Sequence, residues 1–174
     1  MESKDNKKIL LVLRHAKSSW KNNDIPDHDR PLNKRGKNQG SKMGKLLKKL
    51  DLVPDHIISS TAKRAIDTSE LVAKFSTYDG AINQYPSLYN QSSAEHYIKI
   101  LTSISDNYHK VLIIGHNPAI ENLIEQLTNR IELMKTCSLA RIDIKIKNWK
   151  DITNEIYKSD LISIWHPSSK NEID

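Results

Sequence analysis

The sequence predicts an α/β fold: a three-layer α/β/α arrangement with helices covering both faces of a mostly parallel, mixed sheet. Three observations carry that expectation. Short apolar runs rich in Ile, Val and Leu alternate with longer segments of helical periodicity. The last two extended segments are joined without a helical pattern between them, which adds an antiparallel pair to a parallel set. At 174 residues the chain falls in the size range of one domain, roughly 100–200 residues. A single compact domain over 1–174 is expected, with no room for a large inserted subdomain.

The elements follow in order. Lys8–Arg14 is a short Ile/Val/Leu run and reads as a buried strand. A helix is expected over 33–50, where Gln39, Met43, Leu46, Leu47 and Leu50 share one stripe and the basic residues lie opposite. Gly36, Gly40 and Gly44 flank that stripe at a spacing of four, which suggests close approach to a sheet. A strand over 55–59 follows Pro54, then a helix over 61–75 and an extended stretch over 82–85. Ala94, Tyr97, Ile98, Leu101 and Ile104 give helical spacing across 93–105, and Lys110–Gly115 is a second buried strand. Asn117 is placed to cap the next helix, with Pro118 in its first turn. Ile120, Leu123, Ile124 and Leu127 then form its core face. Segments 139–146 and 160–165 alternate well enough to pair, across a linker with turn signals at Asn148 and Asn154.

Composition narrows the function. There are 27 Lys and Arg against 21 Asp and Glu, a net charge of +6, and one cysteine, Cys137. A single cysteine excludes an internal disulfide and a cysteine-rich zinc site, and Cys137 reads as a free structural thiol. The longest apolar run, Ile9–Leu13, is five residues, where a membrane span needs about 20. It is also short for a secretory leader. The expectation is a cytoplasmic protein without membrane contact. Eight basic residues and no acidic one lie between Arg30 and Leu50. That segment is a solvated face, a docking surface for an acidic partner, or a nucleic-acid site. It lacks interleaved aromatics, and no nucleic-acid motif accompanies it.

In parallel α/β sheets, ligands bind beyond the carboxyl ends of the strands. The first strand ends in Arg14-His15, the 110–115 strand runs into His116, and the strand before residue 60 leads to Arg64 in the first turn of its helix. Two arginines make a bidentate, permanently charged clamp for a phosphoryl group. Free N–H groups at helix starts near 61 and 117 would add to it. A histidine beside two arginines has its neutral form favoured and keeps a lone pair for attack on phosphorus. A second can stabilise charge on the equatorial oxygens. This chemistry calls for no metal or other cofactor. His28, His56, His96, His109 and His166 show no ligand-like spacing and read as surface or structural, and Trp20 as a loop-shaping residue.

At these residues the chain resembles the histidine phosphatase superfamily, of phosphoglycerate mutase-like fold. Leu13-Arg14-His15-Ala16, with Ser18 and Trp20 following, is similar to the superfamily's first signature. Asp29-Arg30-Pro31-Leu32 through Gly36 resembles a segment of its SixA-like phosphohistidine phosphatases. Ser59-Ser60-Thr61-Ala62-Lys63-Arg64 and Gly115-His116-Asn117-Pro118 are similar to the second-arginine and second-histidine segments. The resemblance implies His15 as phosphoaccepting nucleophile, Arg14 and Arg64 as clamp, His116 as transition-state partner, and Arg30 as a contact to phosphate or protein substrate. It implies a phosphorylated protein as substrate and inorganic phosphate as product. A monomer is expected, with neither nucleic acid nor membrane as partner.

Ser60-Thr61 stands where many relatives carry Ser-Pro, a departure with little expected effect on chemistry. Two others bear on the substrate. Lys21 stands where mutase relatives carry asparagine. The candidate for the mutase-type acid is Glu95, yet Ser92-x-x-Glu95 is also a capping box, in which the carboxylate bonds backbone. Asp24, Asp27 and Asp29 are alternatives. The departures disfavour a sugar-phosphate mutase and suit a P–N bond, which needs less help from an acid. A small-molecule phosphomonoesterase using the same residues, and a binding or adaptor module, are the rival readings.

Overall fold

The protein is described by a computed structural model that covers residues 7–90, 92–153 and 159–167. Its strands are β1 (Lys8–Arg14), β2 (His56–Ser60), β3 (Ile82–Tyr85), β4 (Lys110–Gly115), β5 (Leu139–Ile144) and β6 (Ser159–Trp165). Its α-helices are α1 (Lys34–Lys49), α2 (Lys63–Ser76), α3 (Glu95–Leu101) and α4 (Ala119–Thr128). The strands form one sheet in the order β3-β2-β4-β1-β5-β6. β3, β2, β4 and β1 pair in parallel, while β5 runs antiparallel to both β1 and β6. The mixed, mostly parallel α/β sheet is as the sequence predicts.

Alternation along β1 divides the core in two. Leu10 and Val12 join Ile113, Tyr97 and the Ile120–Leu127 stripe of α4 on one face. Leu11 and Leu13 join Ile114, Met43, Leu47 and Val72 on the other, beneath α1 and α2. All these side chains are buried. The linker after β5 also contributes to the core. Trp149 and Ile152 in a short 3₁₀ turn (Trp149–Thr153) are buried, and the Trp149 indole donates to Tyr108 O at 2.9 Å. Asn154 lies outside the described residues.

Local chemistry sets the helix limits, and several expectations need correction. Asn33 caps α1 by accepting from the Gly36 N–H at 2.8 Å. The α1 glycines do not face the sheet. A Cβ on Gly44 would lie 2.7 Å from Val72 O, and one on Gly40 3.2 Å from Leu71 Cδ1, so the close approach is to α2. A Cβ on Gly36 would lie 2.1 Å from Lys17 O, in the loop that follows β1. Helices α2 and α4 begin two residues later than the expected anion-binding starts, at Lys63 and Ala119. Asn117 is not a cap: its Nδ2 donates to Glu121 Oε1 and to Met134 O. Helix α3 is shorter than its pattern, and Glu95 makes no capping bond there. Among the described residues, no helix is long and apolar enough to cross a membrane.

Candidate active site

Strands β1 and β4 are parallel neighbours in which Arg14 is opposite Gly115. The next residue of each, His15 and His116, therefore leaves the sheet at the same edge, with ring centroids 5.1 Å apart. β2 lies on the other side of β4 and ends at Ser60. The turn after it delivers Arg64 in the first turn of α2, with its Nε 3.4 Å from His15 Nε2. This is the carboxyl edge of the parallel strands, where such sheets bind ligands. The geometry brings together all four residues that the sequence singles out.

His15 is buried, and its Nδ1 lies 2.8 Å from Ala16 O. Since a carbonyl only accepts, the proton sits on Nδ1 and Nε2 carries the lone pair. Burial, reinforced by the positive charges of Arg64, Arg14 and Arg30, lowers the pKa of His15 to about 4. His116 is pushed down to about 3 by burial, then by His15 and Arg64. Both rings are neutral at pH 7. His116 shares a 2.8 Å hydrogen bond between Nε2 and Ser60 Oγ, while its Nδ1 is buried without a protein partner. Its backbone N–H donates to Tyr97 Oη at 3.3 Å, and Tyr97 in turn donates to Leu88 O at 3.2 Å.

The arginines are held by partners outside the sequence motifs. Arg14 Nη1 donates to Met134 O at 2.9 Å, an acceptor shared with Asn117 Nδ2. The Met134 N–H is fixed in turn by Glu121 Oε1 at 2.8 Å. Arg64 donates from Nη1 to Asp27 O at 2.6 Å and from Nη2 to Asp27 Oδ2 at 3.0 Å. Arg30 is buried one step back. It forks onto Asp27 Oδ1 through Nε and Nη2 at 3.1 and 2.8 Å, donates to Ser18 Oγ, and stacks 3.6 Å over Trp20. Arg30 thus anchors the loop after β1, and Trp20 covers it.

A cavity of about 300 Å³ opens between these elements, lined by Asp27, Arg64, Tyr89, His116 and Asn117 among others. Of the candidate acids, Asp27 alone reaches it. Glu95 is exposed on α3, Asp24 is exposed, and Asp29 pairs with His28. Burial alone would raise the Asp27 carboxyl. Hydrogen bonds from Tyr89 and Arg30, with the charge of Arg64, instead hold it far below the usual range. Tyr89, whose hydroxyl donates to Asp27 Oδ2 at 2.8 Å, belongs to no motif and was not expected. Tyr97 was expected only as a core residue. Its position over Gly115 explains that glycine, since a Cβ there would lie 2.0 Å from the Tyr97 hydroxyl. His28 is half-buried at the rim, bonded to Thr61 Oγ1 and packed edge-on to Tyr89. Cys137 is buried, and burial pushes its thiol up to about 12. That excludes it as a nucleophile at neutral pH.

Comparison with known proteins gives this geometry its relatives. Residues 10–88 match the sequence profile of the histidine phosphatase superfamily (branch 1). An uncharacterized chloroplast protein of Arabidopsis thaliana is 30% identical over 150 residues, covering 82% of this chain and 69% of that protein. The protein histidine phosphatase SixA in complex with tungstate superposes with a TM-score of 0.79 at 18% identity, over 91% of this chain and 97% of that one. A phosphoglycerate mutase from Bacillus anthracis superposes at 0.64 and 19% identity, over 84% and 96%. The chain belongs to the histidine phosphatase superfamily, branch 1.

Proposed function

We propose that the chain is a phosphohistidine phosphatase, taking the phosphoryl group from a histidine of a phosphorylated signalling or phosphotransfer protein. The observation that carries this reading is the His15 imidazole: buried, neutral, with Nδ1–H committed to Ala16 O and Nε2 turned toward Arg64. In the first step the Nε2 lone pair attacks phosphorus in line, and the P–N bond of the substrate breaks. Arg14 and Arg64 hold the equatorial oxygens, and His116 stabilises the charge gathering on them. Water then displaces phosphorus from His15, the electron pair returns to Nε2, and inorganic phosphate leaves. Arg30 acts in this scheme through Asp27, as a positioning residue.

The phosphohistidine substrate is supported by the cavity itself, whose one carboxylate is held ionised and so is no proton donor for an alkoxide. The likeness to SixA points the same way. Incubation with a labelled phosphohistidine peptide tests the reading. Acid-labile, alkali-stable label is expected on the wild type and not on His15→Ala. Absence of label on the wild type, or unchanged turnover in His15→Ala, would overturn the covalent route. Faster turnover of sugar phosphates than of the phosphohistidine peptide would make the chain a small-molecule phosphomonoesterase.

A further inference from the structure

The Asp27 carboxylate accepts four side-chain hydrogen bonds, and the reaction above gives it no direct part. Its Oδ1 accepts twice from Arg30, and its Oδ2 accepts from Arg64 and from Tyr89. A carboxylate has about four acceptor positions, so protein donors fill them all. Yet the carboxylate lines the cavity beside Arg64 and His116, and its side chain is 53% exposed. A phosphoryl group bound by Arg64 competes for the same guanidinium N–H groups that now point at Asp27. Binding of a phosphoryl group to Arg64 therefore releases an acceptor position on Oδ2, which lines the cavity.

We propose that Asp27 is a specificity-determining residue: the freed Oδ2 accepts the N–H of the leaving imidazole and so selects phosphohistidine over phosphate esters. This rests on the phosphohistidine reading above. The balance is simple. Phosphohistidine reacts with its ring protonated on the nitrogen that does not carry phosphorus. The His15 lone pair forms the new P–N bond, the old P–N bond breaks, and its electron pair stays on the departing ring. That ring leaves as neutral imidazole with its proton in place, while His15, still protonated on Nδ1, takes over the positive charge. No proton moves. An anionic acceptor beside the departing ring stabilises the protonated substrate through a charge-assisted bond. For an alkyl phosphate the needs are reversed. The leaving alkoxide must gain a proton, and a carboxylate held ionised by Arg30, Arg64 and Tyr89 has none to give. A substrate that carries its own carboxylate, such as a phosphoglycerate, also meets repulsion.

Asp27→Asn tests this by a ratio. Turnover is measured on a phosphohistidine peptide and on p-nitrophenyl phosphate, whose leaving group needs no proton and offers no N–H. Loosening of Arg64 and Arg30 affects both substrates alike. Loss of the leaving-group bond affects only the peptide. The kcat/KM ratio of peptide to ester is expected to fall on the order of ten- to a hundredfold, and Asp27→Glu, which keeps the charge, to recover part of it. Melting temperatures of both variants show whether they are folded. An unchanged ratio in folded Asp27→Asn, or a ratio equally low in Asp27→Glu, overturns the role of Asp27 and leaves the phosphohistidine reading intact. A wild type that hydrolyses the ester and not the peptide overturns both.

Discussion

His116 owes its place to Tyr97 of α3, a residue 19 positions earlier in the chain and outside every motif. The Tyr97 ring, buried and with its phenol pushed up to about 12 by that burial, lies over Gly115 and receives the His116 N–H. Gly115→Ala would drive a methyl group to within 2.0 Å of the Tyr97 hydroxyl. The expected cost is about 1–3 kcal/mol of stability from overpacking, with a fall in kcat as His116 shifts. Chemical denaturation and steady-state kinetics check both parts. Tyr97→Phe in the same background removes the hydroxyl contact but leaves ring carbons at 2.7 Å, so only partial recovery of stability is expected. Arg64 gives a sharper chemical prediction. It addresses His15 through Nε and Asp27 through both terminal nitrogens, a planar fork that lysine lacks. Arg64→Lys keeps the charge and is expected to lower kcat/KM by about a hundredfold or more. Retention of near wild-type activity would show that charge alone suffices.

At the scale of elements, the helix pair α1–α2 is set by small residues. Gly44 and Gly40 look equivalent in sequence but meet different neighbours. A Cβ on Gly44 lies 2.7 Å from Val72 O, which is helix backbone, while one on Gly40 meets only the Leu71 side chain at 3.2 Å or beyond. Alanine gains about 1 kcal/mol over glycine in a helix interior, against an overpacking cost of about 1–3 kcal/mol. Gly44→Ala is therefore expected to destabilise, and Gly40→Ala to stay within about 1 kcal/mol of wild type, by urea denaturation. Reversal of that order would mean that α2 yields at Val72. Of the basic residues of α1, Lys45, Lys48 and Lys49 are exposed and Lys42 is half-buried, and Lys45 Nζ reaches over the Phe75 ring of α2 at 5.6 Å from its centroid. Exchanging Lys42, Lys45 and Lys49 for glutamate is expected to raise KM for a phosphoprotein while turnover of p-nitrophenyl phosphate holds. A KM that does not move would leave this face merely solvated.

At the scale of the whole molecule, the neutral histidines link folding to pH. His15 and His116 have values of about 4 and about 3 in the folded chain, against an ordinary 6.5. Only the unfolded chain takes up these protons between pH 6.5 and 4. Their contribution is thus complete above pH 6.5 and lost as pH falls toward the folded values, by about 1.4 kcal/mol per pH unit for each histidine. Asp27, held low by Tyr89, Arg30 and Arg64, extends the loss to still lower pH. Unfolding free energies measured in urea should be level near neutrality and drop below pH 6.5. His116→Gln should have the shallower slope, and an identical slope would remove His116 from the linkage.

The sequence by itself determined the succession of strands and helices along the chain, the buried runs 8–14 and 110–115, and the four side chains His15, Arg14, Arg64 and His116 at one edge. Those features depend on periodicity and on residues adjacent to strand ends, which are local properties of the chain. Helix limits were less legible. The apolar pattern across 93–105 outlasts α3, which ends at Leu101, because spacing marks a face and not an end. Only the tertiary structure decided what surrounds the four. Asp27, Tyr89 and the Met134 carbonyl come from three separate loops, and none has a local pattern that marks it. Asp27 was one of four candidate carboxylates in sequence. Folding leaves Glu95 and Asp24 exposed, pairs Asp29 with His28, and surrounds Asp27 with Arg30, Arg64 and Tyr89. Burial, charge and hydrogen bonding act through space between residues tens of positions apart, so they set the ionisation of this site only once the chain has folded.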